Sequence, residues 1–459
     1  MDPYWLKWLP HPVRRRIEGR VHLQAILGNT SWLFFHRVVR IVVGLIVGVW
    51  VARYLGPERY GALSYAIAFV ALFSACASLG LESVVIRDIS RNPACTEESL
   101  GTALALRLAG ALLTLVLSVF VIGILRPGDT RALGMVAIIA AGTFFQAFDV
   151  IDFWYQSTVQ SKFVVYARSA ALLAISAAKV VLIVLHAPLV AFAWAVLGEA
   201  ALAACGLALA YRSMAHRPAR WHFNWVRARE LLGASGPLFL SGAFVLLYIR
   251  IDRIMIGEML GEEQLGIFSG AAQLAEVWYF IPMAIMSSVF PSIVAAKEVD
   301  EARYYRRLGK LYLVMVWLAL AVAIPMTLFA APIVELVFGS AYRAGAGVLA
   351  IQCWAGLFIF SGLVSNQWYL LENLSRYTLY RHVLGAGINI AMNIALIPRY
   401  GINGAAIATI VTQFASSYLF DLVNRPTRKL FRIKSRYFFL FLPITIHGLS
   451  KATNGGDAR

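Results

Sequence analysis

Residues 55–64 read Leu55-Gly56-Pro57-Glu58-Arg59-Tyr60-Gly61-Ala62-Leu63-Ser64, and residues 260–269 read Leu260-Gly261-Glu262-Glu263-Gln264-Leu265-Gly266-Ile267-Phe268-Ser269. Leu, Gly, Glu, Gly and Ser coincide at a constant offset of 205. A second match pairs Trp154-Tyr155 with Trp368-Tyr369, Ser161-Lys162-Phe163 with Ser375-Arg376-Tyr377, and Tyr166 with Tyr380, all at an offset of 214. Two matches in the same order at nearly one offset imply a duplicated unit. Locally each L-G-x-E-x-x-G reads as a short turn between two helices, its glycines supplying backbone freedom.

The stretches around these turns set what the unit is made of. The chain has 459 residues, 60% of them apolar or aromatic and 14% Asp, Glu, Lys or Arg. A soluble domain carries roughly 25% charged residues, so a soluble enzyme is excluded. A bilayer core requires about 20 mostly apolar residues per helix, because lipid cannot satisfy a free backbone amide. About twelve stretches of that length occur: 29–51, 62–81, 101–125, 132–154, 163–185, 188–211, 236–257, 266–294, 311–332, 345–371, 378–397 and 403–423. The expected fold is therefore all-α and polytopic, with two six-helix lobes around a central cavity. The division follows as an amphipathic segment (1–28), an N-lobe (29–211), a linker (212–235), a C-lobe (236–423) and a basic tail (424–459). Residues 437–449 are apolar but short and hold Pro443, which fits an interfacial segment.

The basic residues test the span count, since cytoplasmic loops concentrate Lys and Arg. The net charge is +17, from 41 Lys plus Arg against 24 Asp plus Glu. One side collects Arg14 to Arg16, Arg87 and Arg91, Arg227 and Arg229, Arg303, Arg306, Arg307 and Lys310, and the run Arg425 to Arg436. The other side has Arg53, Arg59, Arg126, Arg131, Arg343 and Arg399. This asymmetry supports twelve spans with both termini in the cytoplasm. The bases gather in no nucleic-acid-binding arm. Cys76, Cys95, Cys205 and Cys353 show neither C-x-x-C spacing nor a disulfide framework.

The stretch VARYLGPERYGALSYAIAFVALFSACASLG (51–80), Phe290-Pro291 and YGINGAAIAT (400–409) resemble the bacterial polysaccharide-biosynthesis membrane proteins. These are oligosaccharide flippases of the multidrug/oligosaccharidyl-lipid/polysaccharide exporter superfamily. The resemblance runs over roughly residues 25–425. It implies alternating-access translocation of undecaprenyl-pyrophosphate-linked oligosaccharide units from the cytoplasmic to the periplasmic leaflet, coupled to a proton or sodium gradient and without a bound cofactor. A polymerase and a chain-length regulator are the further partners such a role would bring. The glycan itself, O-antigen, exopolysaccharide, enterobacterial common antigen or capsule, is not encoded in a readable motif.

Ionisable side chains inside spans are costly and are retained mainly where they face a cavity or a partner. Arg37 and Arg40 share a face of the first span, about 12 to 17 Å deep. Arg107 lies in the third span, Lys179 in the fifth, and Arg250 and Arg253 share a face of the seventh. Together they would form a basic cavity for a pyrophosphate and acidic sugars. The alternatives are pairing, as with Asp252, and snorkelling to the interface. Glu199 and Glu276 fall near the midplane, where a carboxyl group can exchange a proton or bind sodium, and with Asp252 they are the ion-coupling candidates. Their alternative is a structural ion pair with a cavity cation. Trp278 and Tyr279 are the candidates for sugar contact. Gly44 and Gly48 form a G-x-x-x-G suited to close helix packing.

Three other functions compete. A polymerase or ligase of the same pathway resembles a protein with a large periplasmic loop, whereas no outer loop here exceeds about a dozen residues. H-E-x-x-H, G-x-S-x-G and G-x-x-x-x-G-K motifs are absent, so no catalysis beyond transport is expected. A multidrug exporter would use an acidic cavity for cationic drugs, and the first span holds two arginines and no carboxylate. The lipid II flippases resemble fourteen-span proteins, and this chain has room for about twelve.

Overall fold

A computed structural model describes residues 21–213 and 221–438, and every regular element in them is helical. Residues 1–20 of the amphipathic segment, part of the linker and the interfacial stretch beyond 438 lie outside the described residues.

In chain order the helices are α1 (Val21–Ser78), α2 (Glu82–Arg91), α3 (Thr96–Leu125), α4 (Thr130–Gln146), α5 (Val150–Ser157), α6 (Lys162–Val184), α7 (Leu189–Ser213) and α8 (Trp225–Leu260). They continue as α9 (Glu262–Glu276), α10 (Phe280–Lys297), α11 (Glu301–Leu328), α12 (Ala330–Phe338), α13 (Gly345–Gln352), α14 (Ala355–Leu371), α15 (Ser375–Gln413), α16 (Phe420–Val423) and α17 (Arg428–Phe438). Nine helical stretches among the described residues are long and apolar enough to cross a membrane, and the bent pair α13 and α14 makes a tenth. Two of the nine are double. α1 is kinked at Gly56 (φ 73°, ψ 171°) and α15 at Gly401 (φ 58°, ψ −141°). Counting the limbs of the two kinked helices separately, the described residues hold twelve helical stretches that match the twelve apolar ones, in an all-α, multi-pass membrane fold.

The helices cluster into two compact units, Met1–Gln273 with Val334–Gly345, and Leu274–Ile333 with Ala346–Arg459. In the first, the two L-G-x-E-x-x-G turns cross one another. Gly56 and Gly261 hold the same left-handed conformation (φ 73° and 89°), which only glycine adopts without strain. Pro57 then opens the second limb of α1, where its missing N–H costs nothing. The second glycine of each motif has another task. A Cβ on Gly61 would lie 1.7 Å from the Glu262 carbonyl oxygen, and one on Gly266 would lie 1.9 Å from that of Pro57. These contacts are reciprocal under the 205-residue offset, so the repeat is a backbone-to-backbone crossing as well as a turn. Tyr342 secures the same region by donating its hydroxyl to the Ala52 carbonyl at 2.8 Å.

The other match also repeats in structure. Val159 and Asn373, 214 residues apart, both take positive φ (58° and 57°). The amides of Gln160 and Leu374 then bond back to the Tyr155 and Tyr369 carbonyls at 2.8 and 2.7 Å, closing the two helix ends alike. Tyr155 and Tyr369 are fully buried, so these aromatic pairs pack the helix ends. At Gly44 and Gly48 α1 meets the Gln273 side chain of α9, which donates to the Gly44 carbonyl at 3.5 Å and would lie 2.7 Å from a Cβ on Gly48, while nothing lies within 4 Å of a Cβ on Gly44.

The second unit is built on an aromatic core. Tyr304, Leu308, Leu311, Tyr312 and Met315 of α11 meet Phe360, Val364, Trp368 and Tyr369 of α14, with Leu430 of α17 closing the end. Asp300 caps α11 by accepting from the amides of Ala302 and Arg303 at 2.9 and 3.2 Å, as Asn224 caps α8.

Candidate functional site

The first unit carries a chain of charges across five of its spans. On its first limb α1 brings Arg40, α6 brings Lys179 and α7 brings Glu199. Arg40 Nη2 lies 3.9 Å from Glu199 Oε1, and Lys179 Nζ lies 3.7 Å from Glu199 Oε2. The Arg40 side chain is 62% exposed, against 21% for Lys179 and 27% for Glu199. The cluster is therefore an inner carboxylate bracketed by two cations, one of them on the surface of the unit. One turn before Arg40, His36 Nδ1 is 2.8 Å from Ser169 Oγ of α6. The charges that act on His36 are Arg40, Arg168 and Glu199.

From there the chain continues to a second cluster. Arg168 lies eleven residues before Lys179 on α6, about 16 Å along the axis. It reaches Asp149 at 3.0 Å and Asp152 at 2.9 Å. Arg107 of α3 approaches Asp149 at 3.4 Å and lies over the Phe153 ring at 5.4 Å. Asp149 stands in the single 3₁₀ turn, Ala147–Asp149, that breaks the fourth span between α4 and α5, and such mid-helix turns often mark hinges. Across both clusters, four cations meet three carboxylates.

The expected site residues are placed as follows. Arg40, Lys179 and Glu199 come together, in the ion-paired arrangement that was the alternative for Glu199. Arg37 is exposed on α1, beside them in sequence. Arg107 is only 6% exposed and packs inside the unit, holding Asp149. On α8, Arg253 and Asp252 are each 8% exposed, and Arg250 is half-buried. In the second unit the eighth span breaks at a 3₁₀ turn, Val277–Tyr279, between α9 and α10. Glu276, Trp278 and Tyr279 sit at this break, all half-buried. Tyr279 packs edge-on against Phe360 with ring centroids 5.9 Å apart.

Several charged residues emerge only from the structure. Arg168 and His36 join the two clusters of the first unit. Asp152, on one helical face with Asp149, is 5% exposed and paired. In the second unit Lys434 of α17 is fully buried with Asp421, which also accepts the Tyr369 hydroxyl. Lys434 Nζ donates to the Ser417 carbonyl at 2.8 Å as well, inside the π-helical segment Phe414–Leu419. Arg168 and His36 lie in apolar runs and answer to the same test that singled out Arg107, an ionisable group within a span.

A separate ionic group forms on the first unit where α3 ends. Arg126 reaches Glu258 at 2.8 Å, Glu262 at 2.9 Å and Asp129 at 3.8 Å, with its guanidinium 4.0 Å from the Tyr65 ring centroid. Arg131 joins the same Glu262. Burial alone would lower the pKa of Arg126, and the Glu258 and Glu262 carboxylates outweigh it, holding the guanidinium above its ordinary value.

Residues 50–346 match the family model described as "Polysaccharide biosynthesis protein". The chain is 26% identical over 178 residues to "Probable flippase AglR" of Haloferax volcanii, a match covering 38% of this chain and 37% of that protein. The matched stretch thus spans well under half of that relative. Two solved structures share the fold at low identity. One is an inward-facing multidrug resistance MATE family transporter of the MOP superfamily, with TM-score 0.65, 16% identity, 87% of this chain and 96% of that one. The other is the lipid II flippase MurJ in an inward closed conformation, with TM-score 0.65, 14% identity, 90% of this chain and 91% of that one.

Proposed function

Because the chain belongs to the polysaccharide biosynthesis protein family, we propose that it flips undecaprenyl-pyrophosphate-linked oligosaccharide units across a bacterial inner membrane by alternating access. Residues 29–211 and 236–423 act as the two lobes, with both termini cytoplasmic. The observation that supports an anionic lipid-linked cargo best is the cluster of Arg40, Lys179 and Glu199. It presents a cation majority and an exposed guanidinium where the fold, taken alone, would equally suit a drug exporter. A guanidinium in a water-poor cleft can take two oxygens of a diphosphate in parallel. Arg37 extends this basic surface, and Arg250 and Arg253 are the candidate cations from the seventh span.

Glu199 is the group through which a gradient would act. Two cations share it, so protonation or sodium binding at its carboxylate frees both Arg40 and Lys179 for the cargo. Glu276 and Asp252 are the remaining coupling candidates, and Trp278 and Tyr279 offer ring faces to sugars beside the break in the eighth span. Arg107 serves a positioning role through Asp149.

The reading is tested in a strain lacking the gene, by scoring lipid-linked units with an impermeant glycosidase on spheroplasts and on inverted vesicles. Units held on the cytoplasmic face, released by the intact gene and not by Arg40→Ala or Lys179→Ala at equal membrane abundance, are expected. Units that reach the periplasmic face unpolymerised would assign the chain to polymerisation, and no change in either leaflet would favour drug export.

A further inference from the structure

The first three turns of α11 carry four cations on one face. Arg303, Arg306, Arg307 and Lys310 recur at helical spacing and, with Asp300, line a cavity of about 280 Å³. One acid, Asp300, lies beside them, and among the described residues it is ion-paired with none of the four. The Asp300 carboxylate is engaged by the amides of Ala302 and Arg303, and Glu301 pairs with Lys429 at 2.7 Å. Arg307 donates to the Ser292 carbonyl at 2.7 Å. Among the described residues, Arg303, Arg306 and Lys310 form no ion pair with a carboxylate. This contrasts with Lys297, Lys429 and Lys434 of the same unit, each of which has an acidic partner.

The arrangement works against the helix that bears it. Cations near a helix N-terminus oppose the macrodipole, and like charges at i,i+3 and i,i+4 repel. An anion from outside the chain relieves both. The nature of that anion follows from what lies further along the face, where Val314, Trp317, Ile324 and Leu328 continue it, 46%, 57%, 47% and 72% exposed. From Lys310 to Leu328 the stripe is about 27 Å long, close to the thickness of a bilayer's hydrocarbon core. Basic groups at the foot of an apolar, membrane-length stripe match an amphiphile with its phosphate at the foot and its chains above.

We infer that the foot of α11 binds the phosphate of an anionic phospholipid of the cytoplasmic leaflet, whose acyl chains lie along the Val314 to Leu328 stripe. Arg303, Arg306 and Lys310 contact the headgroup, and Arg307, held by Ser292, closes the side toward α10. The site is independent of the cargo and rests only on the placement of this helix end in the cytoplasmic interface.

The test uses the full-length protein in phosphatidylcholine nanodiscs with and without phosphatidylglycerol. Native mass spectrometry is expected to show phosphatidylglycerol retained by the wild type, and retention reduced roughly ten-fold or more in Arg303→Gln/Arg306→Gln/Lys310→Gln, as the loss of three interfacial cations predicts. Arg432→Gln/Arg436→Gln, which removes two exposed cations of α17, should leave retention unchanged. Should the triple variant fail to fold, hydrogen exchange of residues 298–310 in the wild type decides, with protection expected on adding phosphatidylglycerol. Equal retention by the triple variant, or no protection, would overturn the site. Equal protection by inorganic phosphate would mark it as a free-anion site. Displacement by a polyprenyl diphosphate at equal mole fraction would assign it to the cargo.

Discussion

At Gly61 and Gly266 a single hydrogen decides whether two helices can meet. A methyl at either position would overlap a carbonyl oxygen of the opposite turn, and backbone cannot rotate aside as a side chain can. Gly61→Ala is therefore expected to cost about 1–3 kcal/mol or more, the range of overpacked cores, read as a lower melting temperature in detergent. Gly44→Ala, with open space around it, should be neutral or slightly stabilising. The sequence shows both motif glycines, but it presents them as turn residues. Gly56 and Gly261 fill that role, whereas the close approach at Gly61 and Gly266 depends on where a segment 205 residues away returns. A second residue-scale prediction concerns Lys434. Its replacement by Ala leaves Asp421 buried without a counter-charge, which costs about 3–5 kcal/mol. Lys434→Met with Asp421→Leu removes both charges and should recover more than half of the lost stability in the same melt. Nothing in the spacing of 421 and 434 announces this pair, because it joins the last span to a helix whose docking the apolar pattern does not encode.

Among the elements, the joint of α3 with α4, α8 and α9 is held by Arg126. Its side chain is 14% exposed and serves Glu258, Glu262 and Asp129, whereas that of Arg131 is 44% exposed and serves Glu262. Arg126→Ala should thus destabilise by about 2–4 kcal/mol and Arg131→Ala by under about 1 kcal/mol, compared by thermal unfolding of the two variants. Spans were the most legible level of all. Each apolar stretch of about 20 residues corresponds to a helix, to one limb of a kinked helix, or to two helices across a short break, and the two kinks fall at glycines. The break inside span four, at Ala147–Asp149, was not legible. That inside span eight, at Val277–Tyr279, lies four residues before Pro282, whose missing N–H and ring oppose the Trp278 carbonyl, whereas Pro291 lies within α10 without interrupting it. A 3₁₀ turn of three apolar and acidic residues has no composition to distinguish it from the helix on either side.

Over the whole molecule, the charges placed within apolar spans point to function. Hydropathy alone marks Arg40, Lys179 and Glu199 as out of place in lipid, and their mutual pairing across the first, fifth and sixth spans explains how they are tolerated. It takes the packing of those spans to show that the three act as one group and that Arg107 belongs to another, with Asp149 and Arg168. If Glu199 gates the two cations, Glu199→Gln should leave transport insensitive to a collapsed ion gradient while lowering its maximal rate, whereas a purely structural pair would lower the rate and keep the gradient response. The central question is whether the purified chain moves a lipid-linked oligosaccharide at all. Reconstituted in liposomes carrying a polyprenyl-diphosphate oligosaccharide in both leaflets, it should render the whole pool accessible to an external glycosidase. Accessibility that stays at the outer-leaflet share, in liposomes where the protein is folded and inserted, would contradict a flippase.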